Sequence, residues 1–167
     1  MYTRFSKVFY FLSVGLFLFV FLYIYSTASE FVSYKVDEAG MPLKQLTRNS
    51  FFYITLAVFL VFNVLMIIPA KLIELQYSWR LKRLFPKADP FRDKMLAWIF
   101  SFTGILNVSA VIVILYIHSI GNQNEISSSE FSLFFYMVPV LLLIWMVGLF
   151  YILGNKMKEL KGGSLGN

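Results

Sequence analysis

His118 is the one histidine in the chain. It is therefore the one ring nitrogen that could hold haem or a transition metal, or change charge near neutral pH. Haem iron would need a second axial ligand, which a methionine could supply. A metal ion would need partners that a lone histidine lacks. A solvated side chain at a membrane boundary accounts for His118 without either, so no cofactor and no metal site is assigned. The absence of cysteine removes disulfides, thiolate metal sites, iron–sulfur ligation and thiol catalysis.

Acid–base chemistry has a second set of candidates in Asp89, Arg92 and Asp93. They fall at the opposite membrane boundary from His118, so the two sets cannot converge on one substrate. No phosphate-binding glycine loop, metal-ligand spacing or nucleophile elbow occurs. The remaining polar residues of interest are Asn63 and Asn107, each set within an apolar stretch. Two such amides could line a substrate path or a quinone pocket. They could equally hydrogen-bond helix to helix, as membrane bundles commonly do, and that second reading is the more economical. No catalytic residues are assigned, and the chain reads as a non-enzyme.

The elements that carry these residues follow from composition. The chain has 167 residues, of which 59% are hydrophobic and 14% charged, with a mean hydropathy of +0.71. A soluble protein of this size lacks the interior volume to hide so much apolar surface. Four stretches contain no Asp, Glu, Lys or Arg and are long enough to cross about 30 Å of hydrocarbon. They place helical spans at about residues 8–28, 50–70, 95–118 and 131–154. Backbone polar groups in lipid must be satisfied within their own segment, which selects helices over open strands. The first stretch follows Arg4 and Lys7 as a signal peptide would. Its apolar core is longer than the roughly 7–15 residues of a signal sequence, so it reads as a retained span. The fold class is all-α, a four-helix transmembrane bundle in a single domain.

Charge sets the orientation. Twelve of the fifteen Lys and Arg residues fall on the side of the two termini and of the loop 71–94. The other three, Lys35, Lys44 and Arg48, fall on the opposite side. The positive-inside rule then puts both termini and the basic loop in the cytoplasm, in a bacterial inner membrane or its equivalent. The net charge of +6 serves topology, and nucleic acid is not an expected partner.

The loop "YSWRLKRLFPKADPFRDK" (77–94) carries a basic patch, Arg80, Lys82 and Arg83, suited to a membrane surface. Residues 71–85 read as helix two continuing out of the bilayer or bending along its surface, with Ile73, Tyr77, Leu81 and Leu84 on one face. Asp89 and Pro90 have the residue types of an N-cap and first helical position for helix three. In the outer loop 29–49, Val32, Tyr34 and Val36 alternate with polar residues before the turn-forming "DEAG". A short β-hairpin and an irregular loop are both compatible with that pattern. Ser127 and Glu130 have capping-box spacing ahead of helix four. The ending "KGGSLGN" reads as a polar coil.

Aromatic residues near the boundaries, Trp98 and Tyr23 among them, read as interfacial anchors, whereas the deeper Trp145 reads as core. On helix three, Thr103, Gly104, Asn107, Ala110, Val111, Ile114 and His118 share one face. Most of them are small or polar, which marks a face that packs against other helices. Depth counted from the apolar boundaries pairs Asn63 with Thr103, while helical phase puts Ser109 on the side opposite this stripe, which is expected to face lipid. Together these features describe a non-catalytic accessory, assembly or scaffold subunit of a larger membrane complex. Its partners would be the lipid bilayer and other membrane subunits or copies of itself. The competing description is an oligomeric carrier or channel-like protein for lipid or another apolar molecule, using bends at Pro69 or Pro139.

Overall fold

A computed structural model of the chain describes residues 2–37, 41–121 and 128–164. It contains four long apolar helices and one small sheet. The helices are α1 (Tyr2–Thr27), α2 (Arg48–Leu75), α4 (Pro90–Gly121) and α5 (Ser128–Ser164). A short α3 (Trp79–Leu84) lies between α2 and α4, and β1 (Phe31–Val36) pairs with β2 (Pro42–Thr47) between α1 and α2. All four long helices are long and apolar enough to cross a membrane, so this is an integral membrane protein. Ser127 of the expected capping box lies outside the described residues, and α5 begins at Ser128.

Each helix outruns its apolar stretch by one or more turns. Thr47 caps α2, its side-chain oxygen accepting from the Ser50 N–H at 3.2 Å. Asp89 accepts from the Phe91 N–H at 2.8 Å where α4 begins at Pro90. α5 continues through Gly162 and Gly163 to Ser164, where composition predicts coil. Extending an established helix costs about 1 kcal/mol at a glycine, far less than nucleating one, so the long preceding helix carries on. Pro69 and Pro139 sit inside continuous helices.

α4 is the hub. It packs against α1, α2 and α5, and β1 rests on it as well. Small residues permit this: a Cβ added to Gly104 would lie 2.4 Å from Cε1 of Phe9 on α1. Two apolar layers surround α4. The outer one joins Phe17, Phe21, Phe51, Phe59, Val111 and Ile114, with Val32 of the hairpin at its edge. The Phe17 and Phe59 rings stack there at 3.8 Å and 1°. The inner layer joins Ala70, Ile73, Leu96, Ile99 and Phe100.

The hairpin is present and antiparallel, with Phe31 opposite Thr47 and register shifts on either side of Lys35. It is tied to α2 by the Arg48 N–H, which donates to Glu30 O at 2.9 Å. Packing against α4 through β1 supplies the support that an isolated hairpin lacks. Of the two courses open to residues 71–85, a straight continuation of helix two is ruled out. The helix stops at Leu75, and Gln76 takes the left-handed conformation (φ 51°, ψ 47°). The break resets the helical phase, so Ile73 faces the core while Tyr77 and Leu84 face away from it.

Candidate functional site

Between the two apolar layers lies a polar one, built from one side chain on each of three helices. Ser13 of α1, Asn63 of α2 and Asn107 of α4 are all buried. Asn63 Nδ2 donates to Asn107 Oδ1 at 2.8 Å and to the Phe59 carbonyl at 2.8 Å. Asn107 Nδ2 donates to Asn63 Oδ1 at 3.3 Å and to Ser13 Oγ at 3.1 Å. The Ser13 hydroxyl in turn donates to Tyr10 O at 2.7 Å. Both amides therefore use both of their N–H donors inside the protein. They have no titratable proton to offer at physiological pH, and their donors are committed to neighbours. What this cluster can do is hold three helices in register.

The pairing is one turn away from the depth count. Asn63 meets Asn107 rather than Thr103, whose hydroxyl donates within α4 to Ile99 O at 2.7 Å. The apolar runs of α2 and α4 do not end level with each other. Ala70, the last residue of one, packs with Leu96, Ile99 and Phe100, which lie past the start of the other. Ser109 is a further correction. It is 6% exposed instead of lipid-facing, and it lines a groove that α4 forms with α2.

Two tryptophans dock α5. Trp98 Nε1 donates to Trp145 O at 2.8 Å, and Trp145 Nε1 donates to Ser101 Oγ at 3.0 Å. Trp98 is thus a helix–helix contact as well as an aromatic near the boundary. Ser13, Phe9 and this tryptophan pair escaped sequence reasoning. Ser13 carried a usable signal, being a hydroxyl within the long apolar run of the first span.

Beside the polar layer, α2 and α4 form a half-open groove of about 310 Å³. Val58, Phe62, Ala110 and Val113 line it, Asn63 and Asn107 reach it, and Ser109 contributes at its edge. Ser109 Oγ is buried and has no hydrogen-bond partner among the described residues. His118 lies elsewhere, half-buried in a smaller outer pocket of about 140 Å³ with Thr27 and Ser29, beneath the start of the hairpin.

The inner helix ends are joined by ion pairs. Glu74 of α2 binds Lys7 of α1 and also Lys71, at 2.9 Å, while Arg92 Nη2 donates to Glu74 O at 3.1 Å. The Thr3 hydroxyl donates to the Asp93 carboxylate. Lys156 of α5 binds Asp89 at 2.7 Å, and this ammonium, with the Phe91 N–H, holds the Asp89 carboxyl below its usual range. The carboxylates that looked available for acid–base work are engaged in tying the helices together. Arg80, Lys82 and Arg83, by contrast, lie exposed on α3, with the Arg83 guanidinium 5.8 Å from the Trp79 ring centre.

The chain matches no family model, no curated protein and no solved structure.

Proposed function

We propose that this is a non-catalytic membrane protein, acting as an accessory, assembly or scaffold subunit of a larger complex in a bacterial inner membrane, with both termini cytoplasmic. The observation that carries the reading is the closed polar layer. The deepest polar side chains of three spans are spent on one another, which leaves surfaces to do the work. α5 offers the most suitable surface. Among the described residues none from Tyr136 to Glu159 is buried, and Val140, Leu143, Val147 and Phe150 project outward at alternating three- and four-residue intervals. That spacing gives a stripe along which another transmembrane helix can lie.

The test is gentle extraction of the tagged protein, followed by identification and quantification of what co-purifies. Stoichiometric membrane partners that are lost on combined Leu143→Ala, Val147→Ala and Phe150→Ala substitution, with the variant still folded, would support the subunit reading. A lone monomer retaining no partner would contradict it.

The groove between α2 and α4 favours a second reading, a carrier of lipid or another apolar molecule. Its apolar walls suit a hydrocarbon chain, and the unpartnered Ser109 hydroxyl could meet one polar group on it. Against this, α2 and α5 run unbroken through Pro69 and Pro139, so the helix discontinuities often used by carriers are missing there. A homo-oligomer purified with bound lipid that Ser109→Ala releases would favour the carrier.

A further inference from the structure

α3 is clamped at both of its ends. Before it, Gln76 reverses the chain in its left-handed conformation, and its side-chain amide donates across the turn to Phe85 O at 2.7 Å. Ser78 caps the short helix, accepting from the Leu81 N–H at 3.3 Å. After it, Phe85 packs on the inner apolar layer and stacks on Phe91 at 5.5 Å and 5°. Residues 77–84 are therefore held beside the inner ends of α2 and α4. They follow directly on the last turn of a spanning helix, which puts them at the depth of lipid headgroups.

The composition of this segment differs from that of the other inner helix ends. Leu81 is half-buried, whereas Tyr77, Trp79 and Leu84 are 84%, 72% and 62% exposed. At 100° per residue, Trp79 and Arg83 lie opposite Leu81, with Arg80 about 100° and Leu84 about 60° from it, and all four side chains are exposed. Two guanidinium groups are thus interleaved with one indole and one leucine. No Asp or Glu occurs from Tyr77 to Ala88. Lys7, Lys71 and Lys156 are engaged by Glu74 or Asp89, but among the described residues no ion pair involves Arg80, Lys82, Arg83 or Lys87.

We propose that α3 is a binding site for the anionic phospholipids of the adjoining leaflet. Arg80 and Arg83 engage the phosphate, for which the planar guanidinium fork is well shaped. Trp79 and Leu84 enter the boundary between headgroups and acyl chains, and Lys82 and Lys87 add to the positive field. A soluble acidic partner or a nucleic acid would satisfy the cations alone. A lipid surface satisfies the apolar side chains between them as well, and it is already adjacent. The proposal is independent of whether α5 binds a protein partner.

The experiment uses the full chain in a neutral detergent and reads its melting temperature with added phosphatidylglycerol or phosphatidylcholine. Phosphatidylglycerol should raise the melting temperature more than phosphatidylcholine does, by an amount that shrinks as salt is added. Combined Arg80→Gln and Arg83→Gln substitution should remove most of that difference while leaving the melting temperature in detergent alone unchanged. Lys158→Gln, which changes an exposed lysine at the end of α5, should retain it. Trp79→Ala should reduce it with the cations intact, which a purely electrostatic contact would not do. Equal shifts with the two lipids would overturn the proposal. So would a full phosphatidylglycerol shift in the double variant, or an equal shift produced by inorganic phosphate.

Discussion

Asn107 bonds to two other helices, whereas Asn63 bonds across to Asn107 alone. Interhelical hydrogen bonds in membranes average about 0.6 kcal/mol each, so Asn63→Ala should cost about 1 kcal/mol and Asn107→Ala about 2 kcal/mol. Once Asn107 is gone, Asn63 has no interhelical partner left to lose. The double variant should therefore melt close to Asn107→Ala in detergent, and fully additive losses would mean that the two amides are not paired. Gly104 gives a second contrast. Phe9 is 36% exposed, so its ring can turn toward lipid and make room for one methyl group. Gly104→Ala should be mild, while Gly104→Leu should cost about 1–3 kcal/mol by overpacking, measured as a lower melting temperature. At this scale the sequence made the participants legible but not the pairing. Asn63, Asn107 and Gly104 stand out because polar and small side chains are unusual in a long apolar run. Which of them touch depends on how far α2 slides against α4, and no local pattern encodes that offset. Ser109 was misread for a related reason: the face it occupies is buried by tertiary packing that α4's own sequence does not encode.

Elements were more legible than their ends. Length without charge defines the four spans, whereas alternation at Val32, Tyr34 and Val36 left a hairpin and an irregular loop both open. The break after α2 left no such mark, since it occurs at a glutamine rather than at glycine or proline. Gln76 pays for its left-handed backbone with a side-chain bond to Phe85 O. Gln76→Gly removes both the strain and the bond, each about 1 kcal/mol, and should melt near the parent protein. Gln76→Val keeps the strain, adds β-branching and loses the bond, so it should melt clearly lower. Equal melting of the two would mean that the backbone conformation is not the constraint. The inner end of α5 depends on a different device, the Lys156–Asp89 pair. A carboxyl group held below its ordinary value stabilises the fold above that value, and the stabilisation is lost as pH falls through the lower, folded one. Lys156→Gln should therefore melt below the parent by a constant margin from neutral pH down to about pH 4, the ordinary Asp range. In stronger acid the two melting temperatures should converge. A margin that persists after the carboxyl is protonated would mean that Lys156 acts through packing instead.

At the scale of the whole molecule, the inner and outer ends are built from different materials. The inner end is a network of ion pairs flanked by unpaired cations on α3, and the outer end is a hairpin packed on the hub helix. The distribution of Lys and Arg was readable from the sequence, whereas the division between paired and unpaired cations was not. That division depends on where long side chains meet carboxylates from other helices, as Lys7 meets Glu74 and Lys156 meets Asp89. The proposed function places the basic end of the molecule in the cytoplasm, where the distribution of Lys and Arg puts it. The cysteine-free sequence allows this to be measured with single introduced cysteines at Lys35, on the hairpin, and Lys87, just beyond α3, both exposed. With an impermeant thiol reagent, position 35 should react in intact cells or spheroplasts and position 87 only after lysis. Labelling of position 87 from outside, with position 35 protected, would contradict the orientation and with it the cytoplasmic placement in the proposed function.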